Sequence, residues 1–177
     1  MSEPAKNAKA TLQDLTNQIT DFTRLVERIE VKRHAGLAMV VAAALDRILE
    51  DALRTKMKPL NSDWNRKMFG DSYGLLGDFS RKIDLAFALG LIDTKIHGKL
   101  TTIRNIRNKF AHADGYVDFT TPTIRELVPN LFGTSPMSIP QLVGAFLYTA
   151  REIESAVCAP SGLPNQGMID KIKAGYS

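Results

Sequence analysis

The sequence has one cysteine, Cys158, so it closes no internal disulfide and offers no cysteine-rich zinc site. Its three histidines, His34, His97 and His112, are scattered along the chain rather than set at metal-ligand spacing, and neither a metal nor a cofactor is expected. No stretch approaches the roughly 18 uninterrupted apolar residues of a membrane span. The longest candidate, 35–45, is short and alanine-rich. The first ten residues, MSEPAKNAKA, lack the apolar run of a secretory signal, and a reducing cytoplasm is the expected location. Alternation of apolar and polar residues is nowhere long enough for a sheet, and no repeat of fixed period emerges. Gly70, Gly74 and Gly77 follow no strand, which excludes a phosphate-cradling loop. No DNA-reading helix-turn-helix is recognisable.

What the chain does have is helical periodicity. With 177 residues, 44% apolar and 24% charged, it is long enough to bury one full core. The pattern predicts a disordered tail over 1–10, a single all-helical domain over 11–159 and a linker-like tail over 160–177. Leu12, Leu15, Ile19, Phe22, Val26 and Ile29 mark a first amphipathic helix, whose apolar stripe needs a partner surface. A second helix, about 33–56, is apolar around much of its circumference and ends before Pro59. Residues 61–77 read as a glycine-punctuated connection with one short helical turn near 63–69, and Trp64, Phe69 and Tyr73 as its packing anchors. Asp78 caps a helix through Leu89 with Gly90 as its stop, and Asp93 caps the next. A short helical segment is expected over 123–132, and Ser138 with Gln141 opens the last core helix. Such stripes are buried by an all-α antiparallel bundle of four to five long helices plus short ones.

The densest polar constellation is TTIRNIRNKFAHADG, residues 101–115. As a helix it sets Ile103, Ile106 and Phe110 on a core stripe that continues Ile96 and Leu100. Arg104, Arg107, Asn108, Lys109 and His112 stay on its flanks, and these residue types bind phosphate, orient a nucleophile or move a proton near neutral pH. At about 100° per residue, Asn108 and His112 lie about 40° apart, with Arg104 on the same face one turn earlier. Arg107 falls about 140° from His112. Those two converge only if the helix loosens near Ala111 or a second subunit supplies one of them. The chain's +4 net charge is concentrated here, since residues 79–112 hold seven Lys or Arg against two Asp. Arg104, Lys109, Arg81 and Lys82 are therefore the candidate phosphate contacts, although a solvated helix face accounts for the same charges.

Arg107-Asn108-Lys109-Phe110-Ala111-His112 resembles the arginine, four residues, histidine signature of the HEPN superfamily, including its polar residue after the arginine. The segment 74–93, GLLGDFSRKIDLAFALGLID, is similar to the mannitol operon repressor family, which shares the helical scaffold. Together the resemblances cover roughly residues 33–132. The second implies a homodimeric regulator of gene expression that works through protein contacts, and this is the first functional expectation. The first implies the alternative, a metal-independent endoribonuclease or RNA-binding protein whose site forms across a two-fold dimer. In that reading Arg107 holds the phosphate, His112 transfers the proton and Asn108 orients either one. A purely structural role is the third possibility, with Arg107 and His112 bridging to Asp114 or Asp118. Glu126, Glu152 and Glu154 read as solvated helix residues, and Cys158, on an apolar helix with no evident base, does not suit a thiol enzyme.

Overall fold

Helix α1, Glu3–Thr55, runs unbroken for 53 residues, about 80 Å at 1.5 Å per residue. The computed structural model describes residues 3–70, 73–113, 115, 117–132, 138–163 and 167–175. Where the sequence pattern predicts a disordered tail and then two helices, the structure has this one rod. Pro4 stands in its first turn, where a missing N–H costs nothing, and Gly36 alone is tolerated at about 1 kcal/mol.

The two halves of the rod differ in what they touch. From Leu37 onward, Val41, Leu45, Leu49 and Leu53 are buried at helical spacing against the rest of the bundle. Every described side chain from Asn17 through Arg33 is exposed. A continuous helix cannot fold back on itself, so the stripe does not pack on the following helix as expected, and its described members Ile19, Phe22, Val26 and Ile29 are exposed.

Short helix α2, Ser62–Phe69, is capped by Asn61, whose side chain accepts from Trp64 N–H at 2.9 Å. Only Phe69 of the three expected anchors packs, with the Arg54 guanidinium 4.0 Å from its ring centroid. Trp64 and Tyr73 are exposed. Helix α3, Phe79–Ala88, starts at Asp78, and α4, Thr94–Ala111, at Asp93, each cap accepting a backbone N–H as expected. Gly90, at φ +67°, makes the tight turn between them, and the two helices pack as a hairpin.

The segment expected over 123–132 is two single turns, α5 (Pro122–Arg125) and α6 (Pro129–Phe132), because Pro129 has no N–H with which to continue the first. Helix α7, Ile139–Ser161, starts where Gln141 accepts from Ser138 N–H at 2.9 Å. The described residues thus form helices and no strand, and α1, α3, α4 and α7 carry the core. Phe119 is its hub, with ring centroids 5.2–5.5 Å from those of His34, Phe110 and Phe146.

The C-terminal stretch is more than a linker. Helix α8, Met168–Gly175, buries Ile169 and packs on α7 and α1. Glu154, expected to be solvated, is 1% exposed, and its carboxylate accepts from the N–H groups of Met168 (2.9 Å) and Ile169 (3.4 Å). It thereby caps α8 from a neighbouring helix. Glu154→Ala is expected to cost about 2 kcal/mol, the penalty of stranding buried donors. Hydrogen exchange should then show faster amides in 168–175 than in α4; equal protection would contradict the cap.

Candidate functional site

Helix α4 is held by its apolar side. Ile96, Leu100, Ile103, Ile106 and Phe110 are buried, which fixes the rotation of the helix and leaves the opposite flank to water. On that flank Arg104 and Asn108 are half-buried, whereas Arg107, Lys109 and His112 are exposed. His112 is the C-cap, with φ −111° and ψ 18°, and its N–H donates to the Asn108 carbonyl at 3.1 Å. Phe119, packed edge-on to Phe110, anchors the chain just beyond it.

A groove of about 460 Å³ lies beside this flank. Arg104, Arg107 and Asn108 form one wall, and Met39, Ala43 and Asp46 of α1 with Asp78 before α3 form the others. The Arg107 guanidinium donates to Asn108 Oδ1 at 2.8 Å, so the two candidate residues do act on one another. His112 does not line the groove. One chain therefore brings Arg104, Arg107 and Asn108 to one groove wall and leaves His112 outside it.

Two of the candidate phosphate contacts belong elsewhere. Lys82 is buried, and its ammonium sits 3.0 Å from Asp46 and 2.9 Å from Glu50, so its charge is taken up by two carboxylates of α1. Arg81 is exposed but turns to the carbonyls of Gly74 (3.3 Å) and Leu75 (3.4 Å), away from the groove.

Ion pairs occupy several of the other basic residues. Lys95 and Lys99 both pair with Glu152, Arg54 with Glu50, and Arg151 with Asp170. Among the described residues, the side chains of Arg104, Lys109 and His112 make no hydrogen bond or ion pair, and Arg107 bonds only to its neighbour Asn108. Asp118 is not their counter-ion. Its Oδ1 accepts from Thr120 N–H (2.8 Å), the Thr120 hydroxyl (2.7 Å) and Thr121 N–H (3.0 Å), closing its own turn. Asp114, the other expected bridge, lies outside the described residues.

Sequence reasoning passed over Asp46. Its Oδ1 is buried with no hydrogen-bond partner, while Oδ2 holds Lys82. Burial pushes its carboxyl above the usual range against the Lys82 hydrogen bond, and the Glu50 and Asp78 charges add to that rise. The available signal was an acid within the apolar run Leu45, Ile48, Leu49. The other shifted acids go down. At Glu50 burial raises the carboxyl, but bonds from Arg54 and Lys82 outweigh it, and at Glu152 the Lys99 hydrogen bond dominates.

Carboxylates held below their unfolded values stabilise the fold above those values and lose that contribution as pH falls through the folded ones. Glu50, Glu152 and Asp118 all have this sign, whereas Asp46 has the opposite one. Melting temperature should therefore hold between neutral pH and the usual glutamate value of 4.5 and decline below it. A melting temperature that rises on acidification below that point would show Asp46 to dominate.

Burial raises the Cys158 thiol, helped by the Glu154 and Asp51 charges, so it stays protonated and is no nucleophile. Glu152 is ion-paired rather than free, and Glu126 is exposed. Among the described residues no group of three or more His, Cys, Asp or Glu is placed to hold a metal, and no helix is long and apolar enough to cross a membrane. Compared with family models, curated proteins and solved structures, the chain matches none.

Proposed function

We propose that the protein is an RNA-directed homodimer that cleaves phosphodiesters without a metal, in the manner its HEPN-like motif implies. The observation that carries this reading is that Arg104 and Arg107 on the groove wall, with Lys109 nearby in sequence, have no acid partner among the described residues, while Lys95 and Lys99 at the other end of α4 are ion-paired. Unneutralised guanidinium groups beside an open groove suit a phosphate, which accepts paired hydrogen bonds in the plane of the guanidinium.

In the reaction, a ribose 2'-hydroxyl gives up its proton and its oxygen bonds to the adjacent phosphorus. The bond from phosphorus to the 5'-oxygen breaks, and that oxygen takes a proton. The products are a 2',3'-cyclic phosphate and a 5'-hydroxyl end. Arg104 and Arg107 offset the charge on the phosphoryl oxygens, and His112 serves as proton carrier. His112 of the second chain, set beside this chain's arginines, takes the 2'-hydroxyl proton and returns a proton to the leaving 5'-oxygen, which completes the set.

Single-stranded RNA incubated with the protein in EDTA tests this. Fragments with 2',3'-cyclic ends are expected, and RNA left intact would overturn the proposal. Intact RNA beside a stable dimer would favour the second reading, a regulator of the mannitol-repressor kind, for which the exposed Trp64, Tyr73 and Leu75 supply a contact surface.

A further inference from the structure

The first half of α1 carries apolar residues that none of the described residues covers. Ile19, Phe22, Leu25, Val26 and Ile29 are 43–67% exposed, at spacings that set them along one side of the helix. Their spacing identifies the missing partner. Leu12, Leu15, Ile19, Phe22, Val26 and Ile29 step by three and four in strict alternation, three successive heptads with apolar residues at both seam positions. A helix that meets the core of a globular bundle bears a wider stripe of period 3.6; this strict 3.5 repeat is the mark of two helices wound around each other.

We propose that this arm pairs in parallel with the same arm of a second copy, as a two-stranded coiled coil, and that the seam sets the two α4 grooves beside the two-fold axis. The proposal rests on the dimer invoked for the site, but it is tested without RNA. Three observations carry it.

First, two of the three apolar a positions, Ile19 and Val26, are β-branched and Leu15 stands at d, the combination that favours two parallel strands, with Phe22 and Ile29 at the other d positions. Second, the flanking pairs of a parallel seam over 12–30 bring no like charges together, Arg33 beyond them being the one seam position where a charge meets its own copy. The flanking neighbours are Gln18 with Thr23 and Leu25 with Glu30, and the Asp21–Arg24 ion pair lies on the outer face. Third, the heptad frame runs on through the body of α1 to Val40 and Ala43, both exposed, and Ala43 lines the groove with Arg104 and Arg107.

In a parallel pair each seam position meets its own copy. Val40 then faces Val40 of the other chain, and the two arginine walls stand on either side of the axis. An antiparallel pair would set each groove against the far tip of the partner's arm. Arg33 at an a position and Gly36 at a d position interrupt the apolar seam, and a polar a residue fixes register and strand number at some cost in stability.

Two variants of the full chain test this by sedimentation and cross-linking. The wild-type protein should sediment as a dimer, and Phe22→Glu with Val26→Glu should weaken it by about two orders of magnitude or more, since the seam would then bury charge. The variant's melting curve should keep the transition of the bundle, because both positions are exposed. Val40→Cys should form a disulfide with its own copy under mild oxidation. A wild-type monomer, or a dimer that survives both glutamates, would overturn the proposal and leave the stripe to a different partner. A dimer dissolved by the glutamates but not cross-linked through position 40 would overturn the parallel arrangement. RNA left intact by a protein that passes all three tests would count against the nuclease and not against the arm.

Discussion

His112→Ala and Arg107→Ala are each expected to lower RNA cleavage by about 10²–10⁴-fold, the range of a lost proton carrier or a lost transition-state charge. Neither should alter the fold, because both side chains are exposed and His112 makes its C-cap bond through the backbone N–H, which alanine keeps, so each change should stay within about 0.5 kcal/mol. The two losses should differ in kind. Without Arg107, RNA binding should weaken along with turnover, because a guanidinium contacts the phosphate before and during reaction. Without His112, RNA should still bind while turnover falls, because proton transfer belongs to the transition state. Lys109→Ala, at an exposed position about 60° around the helix from His112, should reduce the salt dependence of binding by about one phosphate contact and leave turnover nearly intact. Gel-shift titrations across salt concentration, together with single-turnover cleavage, read all three. Equal, small effects from every substitution would mean a diffuse basic surface without a site.

Lys82→Ala should be the most destabilising single change in the body, at about 3–5 kcal/mol. The ammonium is 4% exposed and neutralises two carboxylates of α1, so its removal leaves Asp46 and Glu50 facing each other in a poorly hydrated place. Arg54 still serves Glu50 at 2.8 Å, and Asp46 is a third exposed, so the lower end of that range is expected. At roughly 2–4 °C per kcal/mol for a chain of this size, the melting temperature should fall by about 10 °C. Lys82→Met combined with Asp46→Asn and Glu50→Gln should recover most of that loss, because the penalty comes from unpaired charge rather than from lost packing. Thermal denaturation of the single and triple variants separates the two causes. A drop of a degree or two for the single variant would show that water reaches the carboxylates.

Legibility in the sequence followed the range of the interactions. Helices α3, α4 and α7 could be read from Asp78, Asp93 and Ser138, because each start is set by bonds within three residues of the cap. The buried face of α4 was equally legible, since Ile96, Leu100, Ile103, Ile106 and Phe110 declare it by spacing alone. Lys82 was misread because its partners lie 32 and 36 residues earlier, so that beside Arg81 it looked like half of a basic surface pair. Glu154 was misread for the same reason, its bonded amides being 14 and 15 residues ahead. The continuity of α1 was missed for a different one. An apolar stripe next to an apolar helix invites a hairpin, yet nothing between Glu30 and Leu37 forces the chain to turn. The groove needed α1, the start of α3 and α4 together, and only the α4 wall had a local signature.

Within one chain the arginine wall and His112 stay apart, and the central claim is that a second copy joins them. Mixing Arg107→Ala protein with His112→Ala protein, each inactive alone, tests it once the dimers have been dissociated and allowed to exchange. Cleavage should return in the mixture, because the mixed dimer keeps one intact arginine and one intact histidine on opposite chains. Mixed dimers that form in measurable amount and leave the RNA uncut would place arginine and histidine in the same chain's site and contradict the account.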